Sequence, residues 1–248
     1  MPGILTGNKC INELKIFIII PAINEEQSIA KVINDIPKKA VTEIIVVDNG
    51  SSDNTMSEAE SAGATVLKEN ERGYGAACLK GIQYINNKKP DSDDIIVFLD
   101  GDYSDYPGQM TKVIKPITEE NYDMVIGSRI LGRKSGTVEN GALLPQAVFG
   151  NWLSTRLIKL IWNYSYTDLG PFRAVKISAL KKMKMTDRNY GWTVEMQIKA
   201  AKLKLKCTEV SVSYRKRIGV SKVTGTISGS VKAGFKILWV IFGSILKT

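Results

Sequence analysis

A mostly parallel α/β sheet with helices on both faces is the fold this sequence predicts, and three observations predict it. The runs Ile16–Ile20, Glu43–Val47 and Ile95–Leu99 are apolar at nearly every position, not at alternate ones. That pattern marks strands buried on both faces. Helical patterns separate these runs, as parallel neighbours require of their crossovers. Each run ends on a polar motif: Pro21–Glu25, Asp48–Asp53 and Asp100–Asp105. Ligands of such sheets lie beyond the carboxyl ends of the strands, so the three motifs line one crevice.

The elements follow in order. After Ile16–Ile20, Asn24 with Gln27 reads as a capping box opening a helix to about Ile36, which Pro37 ends. Glu43–Val47 stops at Asp48. The turn Asn49–Asp53 supplies Asp53 as N-cap of a helix through Ala62. Thr65–Leu67 is a short third strand, and Asn70–Gly75 is a glycine loop feeding a helix to about Asn86. Beyond Asp100, Asp102 and Asp105, Pro107 is suited to the first residue of a helix. Met124–Ile126 is a further strand, ending at Gly127-Ser-Arg129. Residues 130–145 form a long loop carrying Arg133 and Lys134, the kind that serves as a lid or binding loop. Gln146–Trp162 is a helix with an apolar stripe. Asp168–Arg173 is a turn before a short strand, Gly191–Glu195 opens a helix to about Leu203, and Val210–Tyr214 is a strand. A basic segment follows, with Arg215, Arg217, Gly219, Ser221 and Lys222.

Composition sets limits on function. With 248 residues, 44% of them hydrophobic, the chain suits one large α/β domain with a small appendage. Residues 1–225 are expected to form the domain, with residues 226–248 as an amphipathic helix. The three cysteines, Cys10, Cys78 and Cys207, are widely spaced; they give neither a disulfide framework nor zinc spacing, and suggest a reducing cytosol. There is no histidine, which excludes Ser-His-Asp and Cys-His catalysis and every His-ligated metal. Residues 1–150 carry 15 basic and 21 acidic side chains, whereas residues 151–248 carry 19 and 4. An acidic half followed by a strongly basic half points to anionic partners such as nucleotide or phospholipid. No leader peptide and no membrane-spanning run is expected. In the C-terminal stretch Phe235, Trp239 and Phe242 fall at helical spacings, with Lys232 and Lys236 placed to meet headgroups. A helix packed on the protein's own core is the alternative.

The chemistry centres on Asp100 and Asp102. Carboxylates crowded at the end of a buried strand repel one another, and a bound divalent cation resolves the repulsion. Hard oxygen ligands suit Mg²⁺ or Mn²⁺. A lone Asp-x-Asp is otherwise a solvated acidic turn; the two neighbouring motifs favour the cation. Arg129 is placed to reach a phosphate in the same crevice. Gly73 and Gly75 lack the third glycine of a dinucleotide fingerprint, and no Walker A sequence is present, so NAD and ATP-hydrolysis functions are disfavoured.

Together these motifs resemble the family 2 inverting glycosyltransferases of GT-A fold, and more narrowly the polyprenyl-phosphate sugar transferases of the dolichyl-phosphate mannose or glucose synthase type. The resemblance spans roughly residues 15–225. It implies a nucleoside grip at Pro21, Ala22, Ile23, Asn24 and Glu25, a base or ribose contact at Asp48, and nucleotide-sugar contacts at Asp53, Gly73, Gly75, Asp100, Gly101, Asp102 and Arg129. It also implies metal ligation by Asp102 and Asp100, and a basic acceptor and diphosphate segment of Arg215, Arg217, Ser221 and Lys222, with Arg133 nearby. Asp168–Ala174 and Gly191–Glu195 sit where the family's acceptor-side segments fall. The family often has Gln two residues after the second Asp; here Ser104 stands there beside Asp105, so either is the candidate third ligand.

The implied reaction is inverting hexose transfer from a UDP-glucose or GDP-mannose type donor to a polyprenyl phosphate, at the cytoplasmic face of a membrane. Such an acceptor is already anionic, so no strong base is needed. A sugar or polysaccharide acceptor would instead require a carboxylate base, for which Glu195 is the candidate. Two readings of other classes remain, a nucleotidyltransferase and a module binding anionic surfaces. Nucleic acid is not an expected partner, and self-association is left open.

Overall fold

The computed structural model describes residues 5–6, 9–10, 14–219 and 227–246. Strands β1 (Leu5–Thr6) and β2 (Lys9–Cys10) form a short antiparallel ladder. The main sheet begins with β3 (Ile16–Ala22), followed by α1 (Ile29–Asp35), β4 (Glu43–Asp48), α2 (Thr55–Ser61), β5 (Thr65–Lys68), α3 (Tyr74–Asn87) and β6 (Ile95–Phe98). Next come α4 (Met110–Glu120), β7 (Met124–Ser128), α5 (Arg129–Lys134), α6 (Pro145–Trp162), β8 (Arg173–Lys176), α7 (Ile177–Met183), α8 (Trp192–Lys202), β9 (Cys207–Ser211) and α9 (Ile227–Leu246).

The seven-stranded sheet has the order β5-β4-β3-β6-β8-β7-β9. Every pairing is parallel except those of β8, which runs antiparallel to β6 and β7. Successive residues of a strand face opposite ways. Phe17, Ile19, Ile96 and Phe98 therefore join the layer of α3, α6, α7, α8 and α9. Ile18, Ile20, Ile95 and Val97 join that of α1, α2 and α4. Both faces are covered, which is why these strands read as unbroken apolar runs. Helix α9 packs on α6 and α8, with Ile241 buried in the core and Ile237 and Val240 packed against it, and leaves Phe235, Trp239 and Phe242 exposed.

Several local expectations change. The Asn24–Gln27 capping box does not form. Asn24 takes a left-handed φ of 51°, its side chain accepts from the Ser52 N–H at 2.8 Å, and α1 starts only at Ile29. Asn tolerates that region because its short amide can bond locally. The N-cap of α2 is Asn54, although Asp53 accepts from the Thr55 N–H at 3.0 Å. The last strand lies earlier than Val210–Tyr214: its register pairs Met124 with Cys207 and Ser128 with Ser211. Helix α5 fills the start of the expected loop 130–145, capped by Ser128, whose hydroxyl accepts from the Leu131 N–H at 3.1 Å. The domain boundary expected at residue 225 lies outside the described residues.

Candidate active site

The carboxyl ends of β3, β4 and β6 lie side by side, so their three polar motifs converge. The first two are laced together. The Asn24 N–H donates to Ser51 Oγ at 2.9 Å, the Glu25 N–H to Thr55 Oγ1 at 2.8 Å, and the Glu26 N–H to Asp53 Oδ2 at 3.3 Å. The Asn49 N–H donates to the Ala22 carbonyl at 2.8 Å. Asp48 is buried and accepts from the N–H groups of Gly50 and Ser51 at 3.1 to 3.3 Å, closing the turn after β4. Asp53 accepts from Thr55 Oγ1 at 2.5 Å. Pro21 and Ile23 remain partly exposed at this rim, with Ala22 buried between them. Gly101 is buried against the first motif; a Cβ there would lie 3.5 Å from the Pro21 carbonyl oxygen.

Beyond β6 three carboxylates crowd together. Burial, and then the charge of Asp102, raise Asp100 to about 7, while Tyr74 Oη donates to it at 3.1 Å. Burial also pushes Asp105 well above the usual carboxylate range, reinforced by Asp100 and Asp102. Neither oxygen of Asp105 has a hydrogen-bond partner among the described residues. Asp102 Oδ1 accepts from the Ser104 N–H at 2.9 Å and its hydroxyl at 2.5 Å, so Ser104 orients this carboxylate. Its Oδ2 lies 3.2 Å from Arg217 Nη1. No three His, Cys, Asp or Glu side chains form a complete metal-ligand set among the described residues. One or two carboxylates with substrate phosphates and waters are, however, the usual surroundings of Mg²⁺. The guanidinium at Asp102 and the partnerless Asp105 mark where positive charge is wanted, so the donor set fits a hard divalent cation.

Arg129 starts α5 at the end of β7. Its N–H and Nε donate to Asp168 Oδ2 at 2.8 Å, and Nη2 donates to Oδ1 at 2.7 Å. Burial works against its charge, but Asp168 more than offsets this and holds the guanidinium well above its ordinary value. Arg129 is thus clamped to a carboxylate, and it faces the acidic cluster as a fixed charge.

The sequence matches Glycosyl transferase family 2 over residues 17–183. The chain belongs to that family. A UDP-N-acetylglucosamine--dolichyl-phosphate N-acetylglucosaminyltransferase of Methanococcus voltae is 31% identical over 90% of this chain and 93% of its own. An undecaprenyl-phosphate mannosyltransferase of Micrococcus luteus is 25% identical over 87% of this chain and 90% of its own. Among solved structures, glucosyl-3-phosphoglycerate synthase from Mycobacterium tuberculosis, in complex with Mn²⁺, UDP and phosphoglyceric acid, superposes with a TM-score of 0.74 at 19% identity. That match covers 94% of this chain and 78% of the other. The protein is therefore a glycosyltransferase with the GT-A sheet.

The remaining site residues of this family 2 enzyme fall as follows. Arg215 is held by the carbonyls of Tyr103 and Asp105 at 2.6 and 3.1 Å, and its guanidinium lies 3.4 Å from the Tyr103 ring centroid. Arg217 also reaches Glu25 Oε1, at 2.7 Å. Ser221 and Lys222 lie outside the described residues. Gly73 and Gly75 are explained without a phosphate: a Cβ would lie 2.0 Å from the Arg188 carbonyl oxygen at the first and 2.1 Å from that of Asp187 at the second. Only glycine admits that approach, and the Ala76 N–H completes it by donating to the Arg188 carbonyl at 2.9 Å.

Glu195, the candidate base for a sugar acceptor, secures the same loop from below. It accepts from the N–H groups of Thr186 and Asp187, the Thr186 hydroxyl, and Lys199 at 2.8 Å. Burial would raise its pKa, but Lys199, Thr186 and the Asp187 N–H bring it below the ordinary value. A carboxylate so held is a poor proton acceptor.

Arg133 is exposed on α5 and lines a cleft of about 630 Å³ with Lys134, Trp152, Arg156, Lys159 and Tyr166. The cleft is flanked by Ile130 and Thr167, the chain neighbours of the Arg129–Asp168 pair, and does not sit over the carboxylates. Sequence reasoning missed three contributors. Asp168 was visible as a turn residue opening an acceptor-side segment but not as the partner of Arg129, Glu209 holds the Thr167 and Asp168 N–H groups at 2.8 and 3.0 Å, and Tyr214 lies under Arg129 at 5.3 Å. Glu209, an isolated acid in a basic half, was the available signal.

Proposed function

We propose that this glycosyltransferase moves a hexose, with inversion, from a nucleotide-diphosphate sugar of the UDP-glucose or GDP-mannose type to a polyprenyl phosphate. The observation that carries the reading is the pairing of a carboxylate cluster, Asp100, Asp102 and Asp105, with a basic strap, Arg215 to Arg217, across one crevice. In support, the M. voltae and M. luteus relatives are named for dolichyl- and undecaprenyl-phosphate acceptors.

Asp102 and Asp100 would hold Mg²⁺ or Mn²⁺, whose Lewis acidity would stabilise charge on the departing diphosphate. Ser104 keeps Asp102 turned toward that position. The turn around Asp48 and the Asn24–Ser52 contacts would shape the nucleoside rim. Arg217 would turn to the diphosphate, because guanidinium groups pair with phosphate oxygens through charge-assisted hydrogen bonds. An acceptor phosphate carries its own charge to the anomeric carbon. A histidine-free site with Glu195 fully engaged suits that acceptor better than a neutral hydroxyl. The cleft beside α6 offers the acceptor four cations and the apolar faces of Trp152 and Tyr166.

A lipid acceptor calls for a membrane surface, and α6 and α9 supply a candidate. Phe149, Trp152 and Leu160 of α6 are 62%, 51% and 82% exposed, and Phe235 and Trp239 of α9 are 69% and 66% exposed. Of the two lysines expected at headgroups, Lys232 is exposed, but Lys236 is paired with Asp187 at 2.9 Å. No helix among the described residues is long and apolar enough to cross a membrane.

The test is transfer of labelled sugar from a donor panel with Mn²⁺ to polyprenyl phosphate in detergent, beside a neutral sugar acceptor. Product on the lipid alone supports the reading. Product on the neutral sugar alone overturns it. Flotation with anionic liposomes tests the surface: Trp152→Ser with Trp239→Ser should reduce binding, and equal binding would refute that surface.

A further inference from the structure

We infer that the Arg217 guanidinium competes with the divalent cation for Asp102, with Glu25 as its latch. The inference rests on the metal site proposed above and adds a conformational device to it. Residues 214–218 lie along the acidic segment 102–105. Tyr214 forms a bridge with Asp105, the Arg215 N–H donates to the Ser104 carbonyl at 3.0 Å, and the Ile218 N–H donates to the Asp102 carbonyl at 2.9 Å. Arg215 anchors this strap through backbone carbonyls, whose charge does not depend on what is bound. Arg217 instead reaches two carboxylates, Asp102 at 3.2 Å and Glu25 at 2.7 Å.

Three features mark Arg217 as able to exchange partners. Arg217 Nε is buried without a partner. A buried donor with nothing to donate to is uncommon, and an incoming diphosphate oxygen would satisfy it. The strap leaves the site through Gly219 at φ +78°, where an added Cβ would meet no atom within 4 Å. Finally, a recess of about 100 Å³ borders Glu25, the partner of Arg217, together with Asp53, Ile218 and Gly219.

A divalent cation approaching Asp102 alone meets a fixed positive charge already at Oδ2. A cation arriving with a diphosphate brings oxygens to which Arg217 can transfer. The site therefore discriminates against free metal and favours the metal–nucleotide complex. Glu25 acts through Arg217 as a positioning residue, a role distinct from gripping the nucleoside.

The test uses the whole chain and Mn²⁺ alone, with free Mn²⁺ followed by electron paramagnetic resonance. Arg217→Ala should bind Mn²⁺ at least tenfold more tightly than wild type, about 1.4 kcal/mol. Arg217→Lys, which keeps a charge, should stay closer to wild type. Equal or weaker binding by a folded Arg217→Ala overturns the inference and leaves the metal site standing. If neither protein binds Mn²⁺, with or without UDP, the metal reading falls and takes the inference with it. Should Arg217→Ala not fold, amide exchange at Ile218 decides. Glu25→Gln should accelerate it several-fold without UDP and Mn²⁺ and leave it near wild type with both, and unchanged exchange in the free protein overturns the latch.

Discussion

Replacing Asp168 with Ala should destabilise this enzyme more than any surface change, because it strands a buried guanidinium. The Asp168 side chain is 1% exposed and that of Arg129 is 18% exposed. Three hydrogen bonds of 2.7 to 2.8 Å join them, one from the Arg129 backbone. Breaking a buried pair from one side costs about 3–5 kcal/mol, since the remaining charge stays desolvated. For a domain of this size each kcal/mol is worth about 2–4 °C in Tm, so the fall should be roughly 6–20 °C. Urea unfolding followed by tryptophan fluorescence, with calorimetry beside it, reads the loss. Arg129→Met with Asp168→Asn should recover most of it, because the amide oxygen still accepts from the Arg129 N–H and no charge is buried. That double variant should still fail in transfer, which would separate the charge of Arg129 in the site from its part in the fold. A single Asp168→Ala variant within about 1 kcal/mol of wild type, the range of an exposed ion pair, would refute the reasoning.

Asp102→Asn should abolish transfer with melting temperature little changed, since the amide cannot neutralise a cation; turnover near wild type would remove Asp102 from the metal site. Gly75→Ala should displace the loop at Asp187–Arg188, because its Cβ would lie 2.1 Å from a backbone oxygen, and wild-type stability in a thermal melt would count against that packing. Glu195 gives a pH signature: its folded pKa lies below the ordinary 4.5, so its stabilisation is complete above that value and is lost as pH falls through the folded one. The stability gap between wild type and Glu195→Gln should narrow on acidification, and a gap that widens toward low pH would show the sign to be wrong.

The legible part of the fold was what burial on two faces writes into sequence. Residues 95–98 are all buried, and a short β-branched and aromatic run such as Ile-Ile-Val-Phe, halted by Asp100 and Gly101, favours a strand covered on both faces. Strand β8 was legible as a short strand, but not its place between β6 and β7 or its antiparallel direction. Four residues carry no directional signal, and Arg173 is fully buried only because it donates to the carbonyls of Leu169, Gly170 and Thr193. Those partners lie on turns and helices whose packing no local pattern encodes. The same applies at the site. Asp100 and Asp102 stand where a strand must end, so spacing found them. Asp168 and Glu195 are defined by what they bind across the fold.

The charge asymmetry of the sequence takes a different meaning in three dimensions. An acidic first part and a strongly basic second part suggested surfaces awaiting an anionic partner. Much of the charge in the crevice is instead paired within the chain. Arg217 meets Asp102 and Glu25, and Arg215 lies 3.7 Å from Asp35. The basic C-terminal half thus supplies the counter-ions of the acidic N-terminal half. Arg133, Lys134, Arg156 and Lys159, by contrast, line the cleft beside α6 and enter no ion pair recorded among the described residues. The polyprenyl phosphate proposed as acceptor would meet unmatched positive charge there on its way to the carboxylate cluster, where Arg217 must first exchange one anion for another.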